Sequence, residues 1–159
     1  MSQKVKMIFE CPSCKTEFSA EIFKTLWIEF PENRELVFKN SVNLVTCTGC
    51  GSPIKIETPL LCTNIKMNFA VWYDPRHDEH VTEEIRKYVK VLGADTYFAT
   101  APRIPDWEDF KSTLLKYEQG VIVNKPLTRP NMDNLINMVA ELKNKQSSRV
   151  SMWLRNLFK

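Results

Sequence analysis

Glycine is scarce in this 159-residue chain, which has four, at positions 49, 51, 93 and 120. That spacing excludes a glycine-rich loop able to cradle phosphate through its backbone amides. Histidine is scarcer still. His77 and His80 are the only two, so a histidine-based acid–base site would have to be built from a single polar stretch. No apolar run approaches the ~20 residues needed to cross a bilayer. The opening MSQKVKMIFE also lacks the apolar segment of a secretory signal. The expected compartment is therefore the cytoplasm, where thiols stay reduced. An excess of one charge is missing as well: 22 Lys and Arg against 19 Asp and Glu leave a formal +3. With 43% hydrophobic and 26% charged residues the composition is that of an ordinary globular chain, long enough for one domain with or without a helical appendage.

Against those absences stand five cysteines. Four form two pairs, Cys11/Cys14 and Cys47/Cys50, in the pattern C-x2-C-x32-C-x2-C. Two residues between cysteines let both sulfurs of a pair reach one ion from a tight turn, and two such turns complete a closed tetrahedral site. The spacer is longer than usual, but residues 15–46 carry enough pattern to fold and bring the pairs together. Pro12 fixes φ inside the first turn, and Gly51 after Cys50 is free to take positive φ so that backbone N–H groups point at sulfur. Lys15 occupies the equivalent position in the first turn, where its charge offsets the thiolates. Zinc is the metal such a site favours, with a rubredoxin-type single iron as the alternative. Binding zinc through four thiolates lowers the net charge from +3 to +1, which weakens any case for nucleic-acid binding. A full protein shell leaves no place for an activated water, so the metal is expected to be structural.

Hydrophobic patterning predicts α+β architecture, with a small antiparallel sheet carrying zinc-ribbon knuckles, followed by a helical C-terminal part. Residues 4–10 alternate, with Val5, Met7 and Phe9 on one face. Residues 21–30 fit either a helical stripe or a strand, and Thr25, Trp27 and Ile28 favour the strand. Pro31 ends it, a short helix is expected over 33–39, and a strand over 42–46 leads into Cys47. A hairpin follows, with strands at 54–62 and 65–73 and a turn at Thr63 and Asn64. Pro59 places its strand at an edge or a bulge. The polar run 74–80 is the clearest boundary. Beyond it, Thr82 caps a helix ended by Gly93, residues 96–100 read as a strand, and Asp106 caps a second helix ended by Gly120. A third helix follows Pro130, its apolar side formed by Leu135, Ile136, Val139 and Leu142. The expected division is a zinc-ribbon-like lobe over 1–75, a linker at 76–81, a helical part over 82–146 with one short strand, and an amphipathic helix at 147–159.

These residues resemble the CpXC domain, a bacterial family named for the motif present here as Cys11-Pro12-Ser13-Cys14. Further likeness lies in Asn43-Leu44-Val45-Thr46-Cys47 running into Cys50-Gly51, in Pro59-Leu60-Leu61 and in the strand at 68–73, and extends over residues 6–123. Two departures are visible. Cys62-Thr63-Asn64 stands where the family pattern has a Tyr-His-Asp-like run, and the second knuckle, Cys-Thr-Gly-Cys, lacks proline. The resemblance implies the fold and carries no assigned activity.

Other candidates have plainer readings. Cys62, beside Leu60 and Leu61, reads as a small buried hydrophobe, with a fifth ligand or redox sensor as the alternative. His77 and His80, flanking Asp78 and Glu79, read as a solvated linker rather than a second metal site. An enzyme would need a pocket converging on residues such as His77, Asp74 and Cys62. The tail SSRVSMWLRNLFK places Val150, Trp153, Leu154, Leu157 and Phe158 on one helical face. With only Arg149, Arg155 and Lys159 as cations, it suits docking on its own core, a protein partner or self-association better than a membrane surface. The functional expectation is a non-enzymatic structural-zinc protein acting as an interaction or adaptor module.

Overall fold

The computed structural model describes residues 2–128, 130–138 and 140–141. The fold is α+β, as the patterning predicts. Among the described residues, seven strands, β1 (Gln3–Glu10), β2 (Glu17–Trp27), β3 (Leu44–Thr46), β4 (Pro53–Lys55), β5 (Leu60–Asn64), β6 (Phe69–Tyr73) and β7 (Arg103–Ile104), build two sheets. The larger runs β1-β2-β5-β6-β7 and the smaller is the β3-β4 hairpin. Helix α1 (Pro31–Phe38) follows β2, α2 (Glu79–Leu92) follows β6, α3 (Trp107–Glu118) follows β7, and residues 130–138 are also helical.

The main sheet is mixed. The β1–β2 and β5–β6 ladders are antiparallel, whereas β2–β5 and β6–β7 are parallel. Strands β5 and β6 are buried along their whole length, because helices cover both faces. On one face Leu26, Leu60, Cys62, Phe69, Val71 and Tyr73 pack with Val37 of α1 and Phe110, Leu114 and Tyr117 of α3. On the other, Leu61, Ala70 and Trp72 meet Val81 and Leu92 of α2 together with Tyr97 and Phe98. Arg34 of α1 forms a two-pronged pair with Glu118 of α3, at 2.9 Å from Nε to Oε1 and 2.9 Å from Nη2 to Oε2.

Several local expectations need correction. The turn of the β5–β6 hairpin is at residues 65–68, not at Thr63 and Asn64, which remain in β5. Asn64 Oδ1 accepts from Met67 N at 3.1 Å, and Asn68 closes the turn at φ 54°. The alternation of Ile65 and Met67 with Phe69 therefore runs through a turn. Pro59 falls between β4 and β5, dividing what reads as one strand at 54–62. Helix α2 starts at Glu79, because Asp78 is the cap and accepts from His80 N at 2.9 Å. Thr82 instead accepts from Arg103 Nη1 at 2.8 Å. Residues 96–100 form turns rather than a strand. Thr96 donates to Gly93 O at 3.1 Å and Thr100 to Thr96 O at 3.0 Å, local bonds that compete with a ladder. The short strand in this part of the chain is β7, after Pro102.

Candidate metal centre

Both cysteine pairs sit at the tips of hairpins, and the two tips are built alike. In the first, between β1 and β2, Lys15 N donates to Cys11 O at 2.9 Å and Cys11 N to Thr16 O at 3.0 Å. In the second, between β3 and β4, Gly51 N donates to Cys47 O at 2.9 Å and Cys47 N to Ser52 O at 3.0 Å. Each tip closes through one residue of positive φ, Lys15 at 62° and Gly51 at 72°. Glycine adopts this region freely, and the lysine shows that the turn also holds a side chain there. Gly49 packs against the other tip: a Cβ built on it would lie 2.7 Å from Thr16 Oγ1.

The four sulfurs, far apart in sequence, lie within 4.8 Å of one another. Two contacts that cross between the tips, Cys11–Cys50 and Cys14–Cys47, measure 3.7 Å. A tetrahedral ion with metal–sulfur bonds near 2.3 Å has sulfur–sulfur edges of about 3.8 Å. A disulfide would need about 2.05 Å, and all four thiols are free. The four cysteines are thus arranged to hold a metal ion. Cys11 and Cys47 are buried on a pad with Phe18, flanked by Phe9, Val45 and Ile54, while Cys14 and Cys50 face outward.

Hydrogen bonding already favours thiolate at the exposed positions. Thr16, through its hydroxyl 3.3 Å from Cys14 Sγ and then its backbone, draws the Cys14 thiol down to about 6. Ser52 lowers Cys50 in the same way from 3.3 Å. At Cys47 the Cys50 backbone N–H pulls downward, but burial and the neighbouring Cys11 and Cys14 thiols outweigh it and push the group up to about 11. Thr16 and Ser52 are contributors that motif reading passed over. The signal was present, since CPSCKT and CTGCGS both place a hydroxyl two residues after the second cysteine.

The remaining candidates go elsewhere. Cys62 is fully buried on the α1/α3 face of the sheet, where burial pushes its thiol strongly up. Asp74 is 0% exposed and held by Arg103, not poised over a pocket. His77 is exposed at a positive-φ turn, and His80 begins α2 near Glu83 and Glu84, each 4.0 Å away. A cavity of about 460 Å³ opens between the sheet and the 130–138 helix, but the described residues lining it include no Cys, His, Asp or Glu. Among the described residues, no helix is long and apolar enough to cross a membrane. The tail at 147–159, with Val139 and Leu142, lies outside the described residues.

Comparison with curated proteins and with solved structures gives no match. The family model described as CpXC protein matches residues 9–149, a span that contains both knuckles, the main sheet from β2 onward and helices α1 to α3. The chain belongs to the CpXC family.

Proposed function

We propose that this is a non-enzymatic, cytoplasmic protein in which one zinc ion, bound by Cys11, Cys14, Cys47 and Cys50, acts as a structural clamp for an interaction module. The observation that carries the reading is the cluster of four sulfurs within 4.8 Å of one another, whose crossing contacts of 3.7 Å match the edges expected around a four-thiolate ion. Four protein ligands fill the shell, so the chemistry supplied by the metal is cross-linking rather than activation of water. Structural zinc contributes roughly 10–16 kcal/mol of apparent binding energy. A small domain has a net stability of only about 5–15 kcal/mol, so folding of the knuckle region depends on the ion. On this reading partner recognition falls to the tail at 147–159, where a helix would bring Val150, Trp153, Leu154, Leu157 and Phe158 to one side.

Elemental analysis of protein purified without added metal tests the proposal, paired with thiol titration. One zinc per chain is expected, with four thiols appearing on chelation and Cys62 appearing only after denaturation. Iron would move the reading to electron transfer. Metal-free, folded protein with its thiols titrating freely would overturn the proposal.

A further inference from the structure

Strand β1 ends the main sheet: it pairs with β2 on one side, and its other side has no partner strand among the described residues. It is eight residues long and largely exposed, with Met7 39% and Ile8 74% accessible. Such an edge is a template for another strand, and natural proteins commonly guard it with lysines such as Lys4 and Lys6. Here the guarding charges are self-complementary. We propose that two copies of this chain associate antiparallel along their β1 edges, joining the two main sheets into one.

Charge and face together select the register. With Met7 opposite Met7 on the two-fold axis, Lys4 of each chain faces Glu10 of the second copy, and this contact occurs twice. Val5 then faces Phe9 of the second copy, placing half-buried apolar side chains together, and Lys6 faces Ile8. Centring the pair on Lys6 instead opposes two lysines. Centring it on Ile8 also sets Lys6 against Glu10, but it leaves Lys4 and Val5 unpaired, so the Met7-centred register pairs more of the strand. A one-residue slip turns the Val5–Met7–Phe9 face of one copy against the charged face of the other. Glu10 also has reason to accept a new cation. It lies opposite Glu17 in its own ladder, an unfavourable like-charge pair, and its contact with exposed Lys15 is 3.4 Å long. Lysines that repel a generic strand therefore admit one with glutamate in this register.

Sedimentation of the full chain tests the proposal, with metal content measured on every variant to confirm that the knuckles are intact. The wild type should be a reversible dimer that weakens with salt. Lys4→Glu and Glu10→Lys should each dissociate about 10- to 30-fold more readily, since each replaces two attractive pairs by two repulsive ones. Mixing the two single variants should restore association as a 1:1 heterodimer, because every facing pair is then again of opposite sign. A K4E/E10K chain should dimerise with itself. A wild type that stays monomeric at the highest attainable concentration would overturn the proposal. So would single variants that dimerise as well as the wild type, or a mixture that shows no rescue.

Discussion

Replacing Asp74 by alanine is expected to be among the most damaging single changes outside the cysteine knuckles. The carboxylate is 0% exposed, in a stretch whose sequence reads as a polar boundary. Oδ2 accepts from Arg103 Nε at 2.7 Å and Nη2 at 2.5 Å, and Oδ1 accepts from Asp78 N at 2.9 Å. The guanidinium also reaches Thr82 Oγ1 and Asp78 O, so one ion pair ties β6, β7 and the start of α2 together. Breaking a buried pair on one side costs about 3–5 kcal/mol, because the remaining charge loses its partner. Arg103 is 26% exposed and regains some hydration, which places this case near the lower limit. The orphaned Asp78 N–H adds about 1 kcal/mol. Asp74→Ala should therefore cost about 3–4 kcal/mol in urea denaturation followed by tryptophan fluorescence, with an unchanged m-value. The double variant with Arg103→Met should cost less than the sum of the two single changes, by about 1.5–3 kcal/mol. A loss below about 1 kcal/mol, or strict additivity, would refute the view that this pair anchors α2 to the sheet.

Two further predictions concern the knuckles and the tail. Gly51→Ala should cost only about 1 kcal/mol, for left-handed backbone, since nothing lies within 4 Å of the added Cβ. Gly49→Ala should lower the melting temperature more, despite its ordinary φ, because its Cβ meets Thr16 Oγ1 at 2.7 Å; the reverse order would count against the contact between tips. Deleting residues 147–159 should leave the metal content unchanged while altering the sedimentation profile, and an unaltered profile would count against the tail as an interface.

The parts of the fold that were legible from sequence were those with local causes. The knuckles announce themselves by spacing, β1 by alternation and α3 by Asp106, whose side chain accepts from Glu108 N and Asp109 N. What was not legible depends on partners distant in the chain. Nothing near Thr25 indicates that it lies beside Leu61 in a parallel ladder, nor does residue 74 point to residue 103. The buried Asp74 reads as the start of a polar boundary because polarity is read residue by residue, whereas its cost is offset by a cation supplied 29 positions later. The turn at 65–68 was missed for a different reason: a period of two can run by chance through four residues that the backbone folds back.

The placement of the two knuckles implies that an ion held by the four cysteines would matter to one hairpin more than the other. The β1–β2 ladder spans eight residue pairs, and β2 is further held by β5. The β3–β4 ladder has three pairs, too few to persist alone in water. Its base is tied by Asn43, whose side chain copies a strand residue: Oδ1 accepts from Phe23 N at 2.7 Å and Nδ2 donates to Phe23 O at 3.1 Å. That amide serves the β2 backbone at a point beyond the three residues that pair with β5. The cysteines at the other end complete the attachment. A short hairpin pinned at its base by an amide, and at its tip by the ion proposed above, would need no wide apolar face, which is consistent with Leu44 remaining 51% exposed in β3. On the proposed function, sulfur ligation at the tip would thus substitute for a core that three residue pairs are too short to build.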